Sequence, residues 1–189
     1  PAELITTDFN LPGQRVIVGK PLGTFFGFRS AGVIRDSASA AAITWTNFNG
    51  GRFEPGDMQV LDISGPEGVP DGRITLDDRT DIGDPTPDFT AGLTNTFTWR
   101  RLELTGLLQG QFGGKVLNVN RIRTESSPRV NVARERWYDA WSPTNPNGRF
   151  PAVGENPNQV GTNNFTDNLL EDGSFVRLRS VTLSYSLPT

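Results

Sequence analysis

The chain has 189 residues and a net charge of −3, and it contains no cysteine and no histidine. These values exclude disulfides and thiol chemistry, remove the commonest general base and transition-metal ligand, and give no electrostatic case for nucleic-acid binding. Only 35% of the residues are hydrophobic, and glycine (21) and proline (14) are abundant, so the composition predicts short strands joined by long irregular loops.

Residues 1–88 are predicted to contain strand ends and an outer loop, because glycine and proline interrupt the apolar runs. The stretch FFGF at 25–28 is predicted to lie in a loop core. The stretch SASAAAITW at 37–45 predicts one or two helical turns, with Ser37 or Ser39 as the N-terminal cap.

Residues 89–112, FTAGLTNTFTWRRLELTGLLQGQF, carry the clearest pattern in the chain. Apolar residues alternate with threonine, glutamate and glutamine on both sides of the pair Arg100–Arg101, which predicts a hairpin of two strands, a transmembrane hairpin if the strands belong to a barrel. Leu107 on the polar face and Asn95 on the apolar face are the two exceptions.

Residues 113–173 show no clear periodicity and are predicted to form a long extracellular loop, in which RERWYDAWSP indicates a short helix. A last transmembrane strand is predicted at 174–187, where Val181 begins a regular alternation of apolar and polar residues. The same alternation places Arg177 and Arg179 on the side of Val181, where near the outer rim they would meet anionic lipid head groups, and the alternative is ordinary interfacial charge.

The predicted fold is all-β, with antiparallel strands of a transmembrane β-barrel and long extracellular loops. The strands exceed the usual five or six residues, and aromatic residues lie near their ends, as in the aromatic girdles of barrels. A soluble β-sandwich also shows alternating strands and is the alternative. Six leucines and valines would contact lipid in a barrel and would be buried against a second sheet in a sandwich: Leu102, Leu104, Leu108, Val181, Leu183 and Leu187.

Four stretches match the motifs of one family in the family's order: VGKPLGTFFGFRSAGVI, GDMQVLDISGPEGVPDGRITLDDRTDIGDPTPDFTAGLTNTFTWRRLELT, WSPTNPNGRFP and LLEDGSFVRLRSVTLSYSLP. Across nearly its whole length, the chain resembles the C-terminal barrel portion of SusC/RagA TonB-dependent outer-membrane receptors. Each motif alone is weak, and their combination is specific.

The resemblance implies a large plugged barrel in the outer membrane of a Gram-negative bacterium. Such receptors import oligosaccharides, peptides or other bulky nutrients, are powered through TonB and are capped by a SusD-like lipoprotein. This chain would supply barrel wall and outer loops, facing outer-membrane lipid and pairing with the rest of its own barrel, while TonB would act through regions outside it. The alternatives are a soluble binding or adhesion module and a barrel that serves as a structural component of a surface assembly.

The acidic stretch at 62–78 corresponds to a family block that resembles an EF-hand loop. Asp62, Ser64, Asp71 and Asp78 would supply oxygen ligands to Ca²⁺. The insertion GPEGVP breaks the spacing, so a solvated acidic turn is the alternative.

Trp137, Tyr138 and Trp141 are candidates for stacking on sugar rings or on a lid protein, and the alternative is that they pack their own loop. Glu103 on the polar face has no second carboxylate at a fixed spacing in the sequence. No catalytic residue is therefore predicted, and the protein is not expected to be an enzyme.

Overall fold

The computed structural model describes residues 13–65, 67–118, 120–121, 133–153 and 165–188. The chain divides into two compact units. The loop unit comprises Pro1–Asp84 and Leu117–Glu171, and the sheet unit comprises Pro85–Val116 and Asp172–Thr189. Parts of the predicted loops, at 1–12, 122–132 and 154–164, lie outside the described residues.

Short strands, short helices and one set of three long strands make up the described structure. The strands are β1 (Gln14–Arg15), β2 (Thr24–Gly27), β3 (Ser30–Val33), β4 (Met58–Val60), β5 (Thr80–Gly83), β6 (Phe89–Trp99), β7 (Leu102–Phe112), β8 (Lys115–Leu117), β9 (Leu170–Asp172) and β10 (Phe175–Tyr185). The helices are α1 (Ser37–Ala42) and α2 (Arg134–Tyr138), with single 3₁₀ turns at Leu76–Asp78 and Asp167–Leu169. None of the described helices is long and apolar enough to cross a membrane.

The loop unit is built from small sheets joined by irregular chain. One sheet has the strand order β1-β2-β5, and β3 pairs with β4. The strands β8 and β9, each of which runs across a boundary between the two units in the sequence, pair with each other. Helix α2 lies where the sequence predicts a short helix.

Helix α1 confirms the predicted helical turns, but the predicted cap is wrong. Asp36, not Ser37 or Ser39, is the N-cap, and its carboxylate accepts a hydrogen bond of 2.7 Å from the backbone N–H of Ser39. The two hydrogen bonds from Ser39, the backbone N–H first, hold the pKa of Asp36 below its ordinary value. Aspartate therefore satisfies an N–H group that the helix itself leaves unpaired.

Two apolar clusters hold the loop unit together. The first consists of Phe28, Ile34, Phe53, Val60 and Ile74, and the second of Phe25, Phe165 and Leu169. The FFGF stretch thus supplies one buried phenylalanine to each cluster, which confirms the predicted loop core. Although 113–173 shows no periodicity, its described residues between Leu117 and Glu171 pack with the described residues of 13–84.

Gly27 allows two distant segments of the loop unit to meet. A Cβ atom at this position would lie 2.5 Å from the backbone oxygen of Phe165. The neighbouring residue Phe28 donates its N–H to that same oxygen at 2.8 Å. Any side chain at position 27 would therefore push this hydrogen-bonded contact apart.

The sheet unit is one antiparallel sheet with the strand order β10-β7-β6. The predicted hairpin is confirmed, with Phe89 opposite Phe112 and Trp99 opposite Leu102. The turn residue Arg100 has a φ of 55°, a left-handed conformation that a two-residue hairpin connection requires and that favours glycine.

A β-bulge at Arg179 changes the predicted orientation of β10. The register runs from Leu178 opposite Leu108 to Ser180 opposite Leu107, so one extra residue stands between them. The side-chain alternation therefore changes phase at the bulge. The prediction that Arg177 and Arg179 share a side with Val181 is wrong, because Arg177 pairs with Gln109 while Val181 pairs with Gly106 on the other face.

Candidate functional site on the two faces of the sheet

One face of the sheet is apolar on all three strands. Register and alternation place on it Phe89, Ala91, Leu93, Phe97, Trp99, Leu102, Leu104, Leu108, Phe112, Val176, Leu178, Val181, Leu183 and Tyr185, and we call this set the apolar face. Its large side chains are mostly exposed, with Phe97 at 66% and Leu183 at 68%. A soluble sandwich would bury these side chains against a second sheet, so their exposure favours a barrel wall.

Five of the six residues predicted to face lipid belong to the apolar face. Leu187 follows the end of β10 and is itself exposed. Leu104 pairs with Leu183, and Leu108 pairs with Leu178 on one side and Leu93 on the other. The bulge thus keeps apolar side chains in continuous rows across the strands, and their contact with lipid stays a prediction.

Aromatic rings lie at both ends of the apolar face. Phe89 and Phe112 stack with their ring centroids 4.7 Å apart at one end. Trp99 and Tyr185 both pair with Leu102 at the other end, next to the hairpin turn. An 11-residue strand tilted as in barrels covers about 25 Å along the membrane normal, close to the height of the apolar band of such proteins.

The opposite face is polar. Register places on it Thr90, Thr94, Thr96, Thr98, Glu103, Thr105, Leu107, Gln109, Gln111, Phe175, Arg177, Ser180, Thr182 and Ser184, and we call this set the polar face. The hydroxyl oxygens of Thr96 and Thr105 lie 3.1 Å apart in a cross-strand hydrogen bond. Threonine rows of this kind suit a water-filled lumen.

Hydrogen bonds fix the turn that leads into β10. The hydroxyl and the N–H of Ser174 donate to the Asp172 carboxylate at 2.7 and 3.0 Å. These two bonds, the hydroxyl first, with a smaller contribution from Lys115, lower the pKa of Asp172. The N–H groups of Gly113 and Gly173 complete the turn by donating to Ser174 and Gly114.

The acidic loop uses its carboxylates mainly for backbone N–H groups. Asp78 is fully buried and accepts from Ile63, Ser64 and Thr75 at 2.9, 3.1 and 2.7 Å. Asp62 accepts from Gly72 at 2.8 Å, and Asp71 accepts from Arg73 at 3.0 Å. Within the described ranges, no three acidic, cysteine or histidine side chains converge as metal ligands would, and calcium binding stays a prediction.

Because the buried Asp78 carboxylate accepts three hydrogen bonds, we expect its replacement to destabilise the loop unit. Asp78→Asn places an NH₂ group where one carboxylate oxygen accepts, so one or more buried N–H groups lose their partner. We expect the free energy of opening of the loop unit to fall by about 1 to 3 kcal/mol, measured by hydrogen-exchange mass spectrometry of the full-length protein. Asp77→Asn, at the exposed neighbouring position, is the control and should change little. Equal effects of the two substitutions would contradict the assigned role.

The three candidate aromatic residues differ in their surroundings. Trp137 and Tyr138 lie on α2 and are largely exposed. Trp141 packs over Gly56, where a Cβ would lie 2.6 Å from its ring, and its indole N–H donates to the Arg35 oxygen at 2.9 Å. Trp141 therefore packs its own loop, while Trp137 and Tyr138 remain available for a ligand.

A polar cavity of about 510 Å³ in the loop unit was not predicted from the sequence. Its lining includes Arg121, Arg136 and Arg149, whose guanidinium carbons lie 5.8, 5.5 and 4.9 Å from the centre of the Phe150 ring. Glu135 and Glu171 also line it, so the arginines have carboxylates nearby. No spacing in the sequence signals this group, because its members come from distant segments.

Two curated relatives from Formosa agariphila match most of the chain. TonB-dependent receptor P3 is 31% identical over 170 residues, which cover 90% of this chain and 16% of that receptor. TonB-dependent receptor P26 is 30% identical over 184 residues, which cover 92% of this chain and 16% of that receptor. The chain thus spans about a sixth of the length of these relatives. No protein-family model matches the chain.

Solved structures match the fold of the chain. A chain in a structure of the RagAB peptide transporter aligns with a TM-score of 0.59 and 20% identity, covering 88% of this chain and 16% of that one. A chain of the RagAB peptide importer in a closed-closed state aligns with a TM-score of 0.63 and 21% identity, covering 98% and 18%. At these identities the likeness establishes the fold alone.

The antiparallel strands, the two-faced sheet and the structural matches define a segment of a transmembrane β-barrel. The chain belongs to the SusC/RagA-like TonB-dependent receptors and corresponds to a part of one. The predicted family and fold class are confirmed. The roles of individual residues and the assignment of loops to the outside of the cell stay predictions.

Proposed function

We propose that the chain forms wall and outer loops of an importer that carries bulky nutrients, oligosaccharides or peptides, across the outer membrane of a Gram-negative bacterium. The observation that carries the proposal is the sheet with an exposed apolar face and an opposite polar face. A sheet whose apolar face is exposed while its other face is polar suits a position between hydrocarbon and water. The names of the curated relatives and of the matched transporter support import as the activity.

Each part of the chain has a role in this proposal. The apolar face contacts outer-membrane lipid, and the polar face lines the lumen. The strands β6 and β10 stand at the edges of the sheet and pair with the rest of the barrel, because an unpaired edge is not tolerated in hydrocarbon. The loop unit lies outside the cell, where a SusD-like lipoprotein covers it, and TonB acts through regions outside this chain.

The exposed rings of Trp137 and Tyr138 are proposed to contact the nutrient or the lipoprotein. Aromatic side chains supply a large contact area with few rotatable bonds, and they stack on the apolar faces of sugars and peptides. The Arg134 guanidinium lies 5.6 Å from the centre of the Tyr138 ring and shares its surface.

The test uses the full-length receptor in its own host. A strain that lacks the receptor and a strain that lacks TonB are grown on single oligosaccharide or peptide sources, beside the parent strain. We expect both mutants to lose growth on the same nutrient class, and a plasmid copy of the receptor to restore it in the first. Growth of both mutants on every source that supports the parent would refute import.

The purified sample gives an independent test of the barrel. The intact polypeptide should have several times the mass of this chain and should stay monodisperse only in detergent or lipid. A detergent-free, monodisperse monomer of 20.7 kDa would refute the barrel assignment. In that event the apolar face would have to be buried in a self-contained sandwich.

A further inference from the structure

The β-bulge in β10 brings Arg179 beside Arg177 of the polar face, so that both guanidinium groups reach Gln109. Arg177 lies there by register, opposite Gln109. Arg179 is the extra residue of the bulge, and its guanidinium also reaches Gln109. The Gln109 side-chain oxygen accepts from Arg177 at 3.1 Å and from Arg179 at 3.4 Å. In a strand without the bulge, alternation would place Arg177 on the face of Val181.

The two arginines have no acidic partner in the part of the chain that the structure describes. Their polar contacts are with Gln109, and the Arg177 guanidinium also lies 5.0 Å from the centre of the Phe175 ring. The carboxylate of the polar face, Glu103, lies six residues along β7 from Gln109, which is about 20 Å. Two positive charges therefore share one neutral acceptor, and no described carboxylate offsets their mutual repulsion.

The chemistry of the side chains selects the anion. Each guanidinium carries five N–H donors in a planar fork and uses one of them on Gln109, so donors remain in a geometry that matches a carboxylate. A shallow cavity of about 260 Å³ beside the pair is lined by Thr90, Gly92, Leu107, Gln109 and Arg179, among others. A carboxylate on a larger molecule thus has space to approach.

We propose that Arg177, Arg179 and Gln109 form a subsite for a carboxylate group of the imported nutrient. This inference rests on the proposed import function, because only passage through the lumen brings nutrient to the polar face. The subsite lies in the half of the sheet away from the hairpin turn at Arg100, near the start of β10. Since barrels have short periplasmic turns and long outer loops, this is the half that nutrient meets first.

The test compares carboxylates with their methyl esters on the purified full-length receptor. Trigalacturonate and its methyl ester represent sugars, while triglutamate and its methyl ester represent peptides, and binding is measured by titration calorimetry. Esterification removes the charge and keeps the shape. We expect one free acid to bind at least about tenfold more tightly than its ester, and the pair that shows this difference identifies the source of the carboxylate.

Two double variants separate the subsite from general charge. Arg177→Gln with Arg179→Gln should abolish the preference for the acid and change the affinity for the ester by less than about twofold. Arg100→Gln with Arg101→Gln removes the same charge at the hairpin turn and should keep the preference. The inference is overturned if no acid is preferred or bound by the wild type, or if the Arg177 and Arg179 variant keeps the preference.

The two proposals fail in different ways. If TonB-dependent growth persists while acids and esters bind alike, the subsite is refuted and import stands. If the strain without the receptor and the strain without TonB both grow on every nutrient that supports the parent strain, import itself is refuted.

Discussion

Leu108→Arg is expected to lower the free energy of unfolding of the full-length receptor by about 2 to 4 kcal/mol in lipid vesicles and to reduce the receptor recovered from the outer membrane. Leu108 lies near the middle of β7 on the apolar face, between Leu93 and Leu178. An arginine there would place a charge in hydrocarbon near the centre of the membrane. Urea titration of the receptor in vesicles measures the change.

The matched control for this substitution is Thr105→Arg. Thr105 lies three residues away on the polar face, where a charge stays in water and the loss is limited to the hydrogen bond with Thr96. We expect a change of about 1 kcal/mol or less. Equal losses at Leu108 and Thr105 would mean that both faces meet the same surroundings, which a barrel wall does not allow.

Phe28→Ala is expected to lower the free energy of opening of the loop unit by about 3 to 5 kcal/mol. The Phe28 side chain is 0% exposed and packs edge-to-face on Phe48, with ring centroids 4.8 Å apart. Its removal leaves a cavity where Ile34, Val60 and Ile74 meet. Hydrogen-exchange mass spectrometry of the full-length receptor would show the loss as faster exchange in peptides of the loop unit.

Leu22→Ala controls for the loss of apolar side chain in the same unit. Leu22 is 77% exposed, so its removal leaves no cavity, and we expect a change within about 0.5 kcal/mol. Peptides from β6 and β7 should exchange alike in both variants, because Phe28 lies outside the sheet unit. Slow, unchanged exchange across the loop unit in Phe28→Ala would contradict the buried cluster.

The hairpin could be predicted from the sequence because residues that are close together in the chain determine it. Alternation sets the faces of β6 and β7, and the two residues Arg100 and Arg101 leave one pairing register for the strands that they join. The strand β10 was also predictable as a strand. Its bulge was not, because an extra residue at Arg179 becomes visible only when β10 is aligned with β7.

The loop unit was beyond prediction for a different reason. Phe25 packs with Phe165, and Phe28 donates its N–H to the Phe165 oxygen, across about 140 residues of sequence. Hydrophobic periodicity in the sequence does not indicate contacts of this kind. The same limit applies to the candidate sites. The sequence predicts Asp78 as a possible metal ligand, but it gives no sign of the three backbone N–H groups from which the Asp78 carboxylate accepts hydrogen bonds.

The two-part composition of the loop unit has a consequence for how the receptor matures. Pro1–Asp84 and Leu117–Glu171 enclose the hairpin strands in sequence, so the parallel bridge between Phe28 and Thr166 closes only after the hairpin has been made by the ribosome. Contacts so distant in sequence form slowly. Until then Phe25 lacks Phe165 and Leu169, its partners in the second apolar cluster, so the nascent chain carries an exposed phenylalanine on its way to the membrane. Loss of periplasmic chaperones that bind aromatic segments should therefore delay the folding of this receptor.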